Sequence, residues 1–354
     1  MEQPSPVPPA VLSAFGLDPD GVEFSHLAGG LINKTVLARQ SGGQKAVLQQ
    51  INTLVFQNPA AIAHNIARAS THLGSTSSIF PASQMLEIEG EWWRISDFIS
   101  DALTLQTAET EAQAEIAAAQ FARLVRLLHD CPVEDFQATI PGFHNLDKHV
   151  KVFEAACRDA SPERIHQARD IVSSLTGEVG VAVLTTYRNS LATCPIRICH
   201  HDAKISNVLL SGDGRGGHVC DLDTLMPGRL ISDIGDLIRT LVPPVSEEEV
   251  DFAKVIVRKG FFRSVIRGYV KELGPLLLPS ELQVLEFGGR FMAYMQAVRF
   301  VTDYLRDDVY YATSHERPLH NLERAANQLA LLVALHSDRL ELCRIVEEVV
   351  AECC

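Results

Sequence analysis

Little in this sequence would suit it to bind a long polyanion or to cross a bilayer. Lysine and arginine number 31 against 44 aspartates and glutamates, a net charge of −13. No dense basic tract offsets that balance, which disfavours a nucleic-acid partner while leaving room for one metal-held anionic nucleotide. No apolar run approaches the roughly 20 residues of a membrane span. The opening segment MEQPSPVPPA lacks both the basic and the apolar stretch of a signal peptide. Eight cysteines are scattered without a C-x-x-C pair, so reduced thiols are expected, with the terminal Cys353 and Cys354 open to oxidation. Internal repeats are missing, as are low-complexity tracts beyond the first ten residues. What remains is ordinary globular material, 46% hydrophobic and 21% charged over 354 residues, enough for one large domain or two coupled lobes. The expectation is a soluble cytoplasmic protein that meets no membrane; its oligomeric state is left open.

The texture changes along the chain. Short β-rich runs at 22–27, 35–39, 45–51 and 91–99 are separated by turn signals at Gly29-Gly30 and Ser41-Gly42-Gly43. One helix interrupts them at 59–73, where Ile62, Ile66, Ala69 and Leu73 share a face. Beyond residue 100 the pattern is helical, with helices expected at 108–128, 147–157, 162–185, 232–241, 246–273, 279–305 and 321–350. An irregular island at 196–230 breaks this run, with short strands at 196–199, 208–210 and 219–222. The fold class is thus α+β. A small β-rich lobe (1–98) is hinged near residue 98 to a larger helical lobe (99–354).

The island holds the chemistry. His200-His201-Asp202-Ala203-Lys204-Ile205-Ser206-Asn207 fits H-x-D-x-x-x-x-N, the catalytic-loop spacing of protein kinases. Phosphoryl transfer explains the residue types. Asp202 would take or orient the proton of an acceptor hydroxyl. The amide oxygen of Asn207, with the carboxylate of Asp221 at the end of the next strand, would hold Mg²⁺, which takes few protein oxygens beside those of phosphate. Lys204 would offset charge on the moving phosphoryl group. In the first lobe, Gly29 and Gly30 permit close backbone approach to phosphates, and Asn33 and Thr35 offer side-chain donors. The strand lysine expected in 46–50 is missing, with Gln49 as its replacement, and the helix at 59–73 carries no glutamate. Ser96 and Phe98 lie where backbone groups would read an adenine edge.

These motifs resemble those of the aminoglycoside phosphotransferase and choline kinase-like family. The runs HHDAKISNVLL and CDLDTLMPGRLISDIGD are most similar to the N-acetylhexosamine 1-kinases. Gly30 to Thr35 resembles the phosphate-loop segment of that group, and Val47 to Asn52 the strand after it. Arg299-Phe300 through Asp303-Tyr304-Leu305, with His320-Asn321-Leu322, resembles its C-terminal helices. The likeness spans most of residues 20–335. It implies a protein-kinase-like two-lobed fold, ATP and Mg²⁺ as cofactors, and an amino sugar phosphorylated at its anomeric hydroxyl. It also implies a sugar contact for Arg299, Asp303 and Tyr304, which look polar for so apolar a helix, and Asp223 lies within reach of a second metal or of the sugar. A sugar-contacting histidine of that group is Leu31 here, whereas Gln49 is shared.

Other readings compete. The fold could serve an amino alcohol, an aminoglycoside or another sugar, or it could bind nucleotide without catalysis. A metal-dependent hydrolase using His200, His201, Asp202, Asp221 and Asp223 is a third class, although adjacent side chains on an extended strand point to opposite faces. Asp233 and Asp236 are read as acids complementing a helix N-terminus, with Arg239 pairing one of them.

Overall fold

The structure is a computed structural model that describes residues 6–27, 32–74, 79–191, 193–212, 216–311 and 317–353. The first lobe is built on a five-stranded antiparallel sheet. Its strands are β1 (Val22–His26), β2 (Lys34–Gln40), β3 (Lys45–Gln50), β4 (Ser83–Ile88) and β5 (Glu91–Asp97), in the order β1-β2-β3-β5-β4. Two turns need left-handed backbone: Gly43 (φ 86°) joins β2 to β3, and Glu89-Gly90 (φ 54° and 82°) joins β4 to β5, the geometry of a two-residue hairpin. Strand β4 has no counterpart in the sequence reading, because SQMLEI alternates too weakly to stand out before its pairing with β5 is known.

The strand alternation gives the sheet two different faces. Leu48, Ala38 and Trp93 point to one side and form a small core with Val11 and Leu12 of α1 (Pro9–Ala14). The other side carries Thr35, Gln49 and Arg94, paired across β2, β3 and β5. Helix α2 (Pro59–Leu73) begins with the Asn58 cap and Pro59 in its first turn. It is pinned to the second lobe by Asn65, which donates to the Gln137 and Leu225 carbonyls (2.7 and 2.8 Å) and accepts from the Gln137 N–H (2.9 Å).

The chain leaves the sheet at Asp97. The next strand, β6 (Ala102–Leu103), pairs instead with β8 (Val208–Ser211), which pairs with β9 (Gly217–Val219). A further pair joins β7 (Arg197–Cys199) to β10 (Met226–Gly228). Helices α3 (Glu111–Leu127), α4 (Leu146–Asp159), α5 (Pro162–Thr176) and α6 (Glu178–Leu191) precede these strands. After them come α7 (Ile231–Leu241), α8 (Lys259–Leu273), the short α9 (Pro279–Leu282), α10 (Leu285–Leu305), α11 (His320–Ser337) and α12 (Arg339–Cys353). The result is the expected α+β architecture of a small sheet lobe and a larger helical lobe. Among the described residues no helix is long and apolar enough to cross a membrane.

Several expected boundaries differ, and the helix expected at 279–305 is interrupted at Gln283-Val284 between α9 and α10. The helix expected at 162–185 divides at Gly177, and the one at 321–350 divides at Asp338. Residues 246–258 are not α-helical apart from one 3₁₀ turn at Phe252–Lys254, because Arg258 turns back to donate to the carbonyls of Leu241, Val242 and Pro243 (each 2.9 Å) and so closes the end of α7. The strand expected at 219–222 ends at Val219, because Asp221 is left-handed (φ 61°, ψ 55°) and cannot continue it.

Helix α10 is buried along almost its whole length and serves as the axis of the second lobe. Helix α7 crosses it at two glycines. A Cβ on Gly235 would lie 2.5 Å from the Gly288 carbonyl oxygen and 3.0 Å from Met292 Cβ. A helical Gly→Ala change normally gains about 1 kcal/mol, whereas forcing backbones apart in a packed core costs about 1–3 kcal/mol. Gly235→Ala is therefore expected to lower the urea midpoint; a raised midpoint would mean that the crossing is not tight.

Candidate active site

The loop between β7 and β8 is organised from below by one buried carboxylate. Asp233, in the first turn of α7, accepts the backbone N–H groups of His200 (2.9 Å) and His201 (2.7 Å) on its two oxygens. Its role is thus the anchoring of this loop rather than only complementing the helix terminus. Burial pushes Asp233 up to about 6 against the pull of those N–H groups. The imidazole of His200 accepts from the Asp202 N–H (3.2 Å) and meets the Cys220 carbonyl (3.0 Å), joining the loop to the segment after β9. His201 has a left-handed backbone (φ 64°) and turns its ring inward against Gly228, where a Cβ would collide with it. Burial drops its imidazole to about 4, so it is a neutral structural group. With both histidines spent inside the fold, the hydrolase reading loses its two imidazole ligands.

Above this base, Asp202 faces the cleft. Its Oδ2 accepts from Asn207 Nδ2 (2.8 Å) and from Lys204 Nζ (2.8 Å), and Asn207 also bonds the Asp202 carbonyl (2.9 Å). Burial would raise the Asp202 carboxyl, but the Lys204 ammonium, His200 and Asn207 outweigh it and hold it below the usual range. Lys204 is held above its ordinary value in turn: burial opposes the charge, while Asp202 and Asp221 favour it. Asp221 differs from its neighbours. No side-chain ion pair or hydrogen bond reaches it among the described residues, and burial, then Asp223 and Asp202, push it up to about 7. The carbonyl oxygen of Asn207, whose amide nitrogen is spent on Asp202, and the carboxylate of Asp221 are hard oxygens of the kind that could hold a small divalent cation.

The sheet lobe closes the site from the other side. Arg94 donates through Nε and Nη2 to Gln49 Oε1 (2.9 and 2.6 Å) and through Nη1 to Asp223. Gln49 donates to Thr35 Oγ1 (3.1 Å), and Asn33 donates to the other Asp223 oxygen (2.6 Å) while accepting the Asn52 N–H (2.9 Å). Asp223, expected to meet metal or sugar, thus has both oxygens engaged by the first lobe. Gly29 and Gly30 lie outside the described residues, as does Leu31. Ser96 sits within the sheet, paired with Val47 on one side and Ser83 on the other. Phe98 lies just past β5, under Lys45 Nζ (5.0 Å).

A third group lines the helical lobe. The guanidinium of Arg299 lies 4.9, 5.9 and 5.5 Å from the rings of Phe143, Tyr310 and Tyr311. It has no carboxylate partner among the described residues and donates only to Gln296 (3.3 Å). Phe143 stacks on His144 (4.5 Å), which is 5.5 Å from His201, so aromatic contacts run from Arg299 to the base of the Asp202 loop. Both ring nitrogens of His144 are buried without a hydrogen-bond partner among the described residues. Burial, then His201 and Arg299, hold His144 well below its usual range, hence neutral. The other two expected sugar contacts have partners of their own. Asp303 accepts the N–H groups of Tyr310 (2.8 Å) and Tyr311 (2.7 Å), and Tyr304 donates to Gln167 beneath Arg164. Asp236 pairs with Arg239 (2.7 Å).

Sequence reasoning missed Arg94 and His144. The sign of Arg94 was a lone cation between Trp93 and Ile95 in β5. His144 gave none, since it meets Arg299 and His201 only through folding.

A sheet lobe over a helical lobe, with a carboxylate loop, a lysine and an asparagine in the cleft between them, defines a phosphotransferase of the protein-kinase-like fold. Residues 23–254 match the phosphotransferase enzyme family (APH), and the chain belongs to that family. Solved structures of similar shape include an aminoglycoside phosphotransferase from Alicyclobacillus acidocaldarius subsp. acidocaldarius (TM-score 0.59, 11% identity, 96% of this chain and 98% of that one). An ethanolamine kinase from Plasmodium vivax is also similar (TM-score 0.56, 14% identity, 87% and 82%). So is the amicoumacin kinase hAmiN in complex with AMP-PNP, Ca²⁺ and Ami (TM-score 0.56, 13% identity, 90% and 92%). At these identities the likeness is one of fold.

The position of Asp221 sets a pH dependence. Its folded value of about 7 exceeds the roughly 4 of a free aspartate, so the folded protein holds the proton more tightly than the unfolded chain. Without divalent metal, stability should fall as pH rises from about 4 to about 7. Asp221→Asn removes that penalty, so it should raise the melting temperature in EDTA more at pH 8 than at pH 5. A gain independent of pH would argue against a buried, uncompensated Asp221.

Proposed function

We propose that this chain is an ATP-dependent small-molecule kinase that phosphorylates a sugar hydroxyl, most simply the anomeric hydroxyl of an N-acetylhexosamine. Residues 1–98 would bind the nucleotide, and 99–354 would bind the acceptor and carry the catalytic loop. The observation that carries the phosphotransferase reading is the grip of Asn207 and Lys204 on Asp202 beside Asp221, which has no hydrogen-bond or ion-pair partner among the described residues. Asp202, fixed in rotamer by these two contacts and kept ionised, would orient the acceptor hydroxyl and take its proton as the oxygen attacks. Lys204, already charged and within 2.8 Å of Asp202, would stabilise charge on the transferred group. Mg²⁺ held by Asn207 and Asp221 would neutralise the phosphate oxygens. Catalysis is then chiefly positioning and electrostatics.

The acceptor class rests on Arg299. A cation boxed by Phe143, Tyr310 and Tyr311, without an acid partner among the described residues, repels an ammonium and suits a neutral polyol whose hydroxyls accept its N–H groups. His144, neutral and without a hydrogen-bond partner among the described residues, would meet a further hydroxyl. That favours a sugar over choline, ethanolamine or a cationic aminoglycoside.

ADP release with ATP and Mg²⁺ should be strong with N-acetylglucosamine or N-acetylgalactosamine and give an acid-labile 1-phosphate. It should be weak with choline and kanamycin. Turnover with the cationic acceptors alone would discard the sugar reading and keep the kinase. Asp202→Asn should abolish turnover while ATP binding persists; near-normal turnover would remove Asp202 as the base. Arg299→Ala should raise the KM for the sugar by roughly 10-fold or more, as expected on losing a charged hydrogen bond, and leave the KM for ATP unchanged.

A further inference from the structure

We infer that Arg94 is the phosphate-binding cation of the nucleotide site, doing from β5 what a lysine on β3 does elsewhere, with Asp223 as its ion-pair partner. The inference rests on the kinase reading above. In protein kinases a β3 lysine grips the phosphates and is steadied by a glutamate of the following helix. Here neither exists: β3 offers the neutral Gln49, and α2 (PAAIAHNIARASTHL) contains no acid. The charge has moved one strand. Gln49 and Arg94 are direct cross-strand partners in the β3–β5 register, on the sheet face opposite the α1-covered core, so the guanidinium enters the same face of the cleft.

The carboxylate has moved as well. Asp223, two residues beyond Asp221, receives Arg94 with both groups almost fully buried (4% and 2% exposed). Arg94 carries five N–H donors. It spends two on Gln49 and one on Asp223, which leaves one on each terminal nitrogen without a partner among the described residues. Gln49 thereby acquires a function that its lack of charge obscured: its Oε1 fixes the plane of the guanidinium, and its own amide is fixed by Thr35. A fork oriented by an amide and a carboxylate, with two donors to spare, is suited to bidentate capture of phosphate oxygens.

Calorimetric titration of ADP and of adenosine, each with Mg²⁺, tests this without any catalytic readout. Arg94→Gln is combined with Asp223→Asn so that no buried charge is orphaned, and folding is checked by thermal melting. ADP affinity should fall roughly 10- to 100-fold, the loss of one or two charged hydrogen bonds, while adenosine affinity is unchanged. Adding Gln49→Lys, which returns a cation to the directly paired position, should recover part of the ADP affinity. Should the pair not fold, Arg94→Lys keeps the charge but lacks the planar fork, and it should weaken ADP several-fold with adenosine unchanged. Unaltered ADP affinity in a folded variant overturns the assignment. So does an equal loss for ADP and adenosine, which would make Arg94 a lobe fastener only. A wild-type chain that binds neither ADP nor ATP would overturn the kinase reading itself, and this assignment with it.

Discussion

Buried negative charge around the cleft is the constraint on which the rest of this structure depends. Asp202, Asp221, Asp223, Asp233 and Asp236 converge within the loop after β7, the loop after β9 and the first turns of α7. Isolated carboxylates in such surroundings would be costly, and each is answered differently. Asp202 has Lys204, Asp223 has Arg94, and Asp236 has Arg239. Asp233 has two backbone N–H groups instead of a cation. Asp221 alone has no contact partner among the described residues. The excess of charge there matches what a phosphate-bound divalent cation would supply, so the charge pattern doubles as a description of the proposed ligand.

The same groups join the lobes beside an apolar contact, in which Ile62, Ile66 and Ala69 of α2 share one hydrophobic core with the second lobe. The Arg94 and Asn33 bonds to Asp223 run from the sheet lobe to the loop after β9, and Asn65 ties α2 to the segment before β10. Polar and charged contacts near a cleft can be exchanged for ligand contacts, whereas an apolar interface cannot. The polar part of the lobe contact thus lies beside the proposed nucleotide site, while the apolar part fixes α2 to the second lobe. By contrast, the Gly235–Gly288 crossing and the buried α10 make the base of the helical lobe rigid, which keeps Asp233 under the catalytic loop.

The proposed catalytic loop was legible in the sequence because its chemistry is contiguous. Asp202, Lys204 and Asn207 contact one another within six residues, and local spacing suffices to bring them together. The sheet lobe and most helices were legible too, from alternation and from turn residues such as Gly43. What failed were features set by a distant partner. Strand β4 is recognisable only beside β5, and residues 246–258 are held out of α-helix by Arg258 reaching back to α7. Asp303 looked like a ligand from its place on an apolar helix, yet it folds the 310–311 segment onto α10.

The sequence by itself therefore determined the fold class, the catalytic loop and its likeness to phosphotransferases, because each rests on residues close enough in the chain for sterics and hydrogen bonding to act locally. The charges of the proposed nucleotide site, and the groups that would face an acceptor, come together only through the tertiary fold. Gln49 and Arg94 lie 45 residues apart and Arg94 and Asp223 lie 129 apart, and sheet register and lobe packing alone make them neighbours. A missing lysine reads as a defect along the chain. In the fold, where charge is shared through space rather than through sequence, the adjacent strand replaces it.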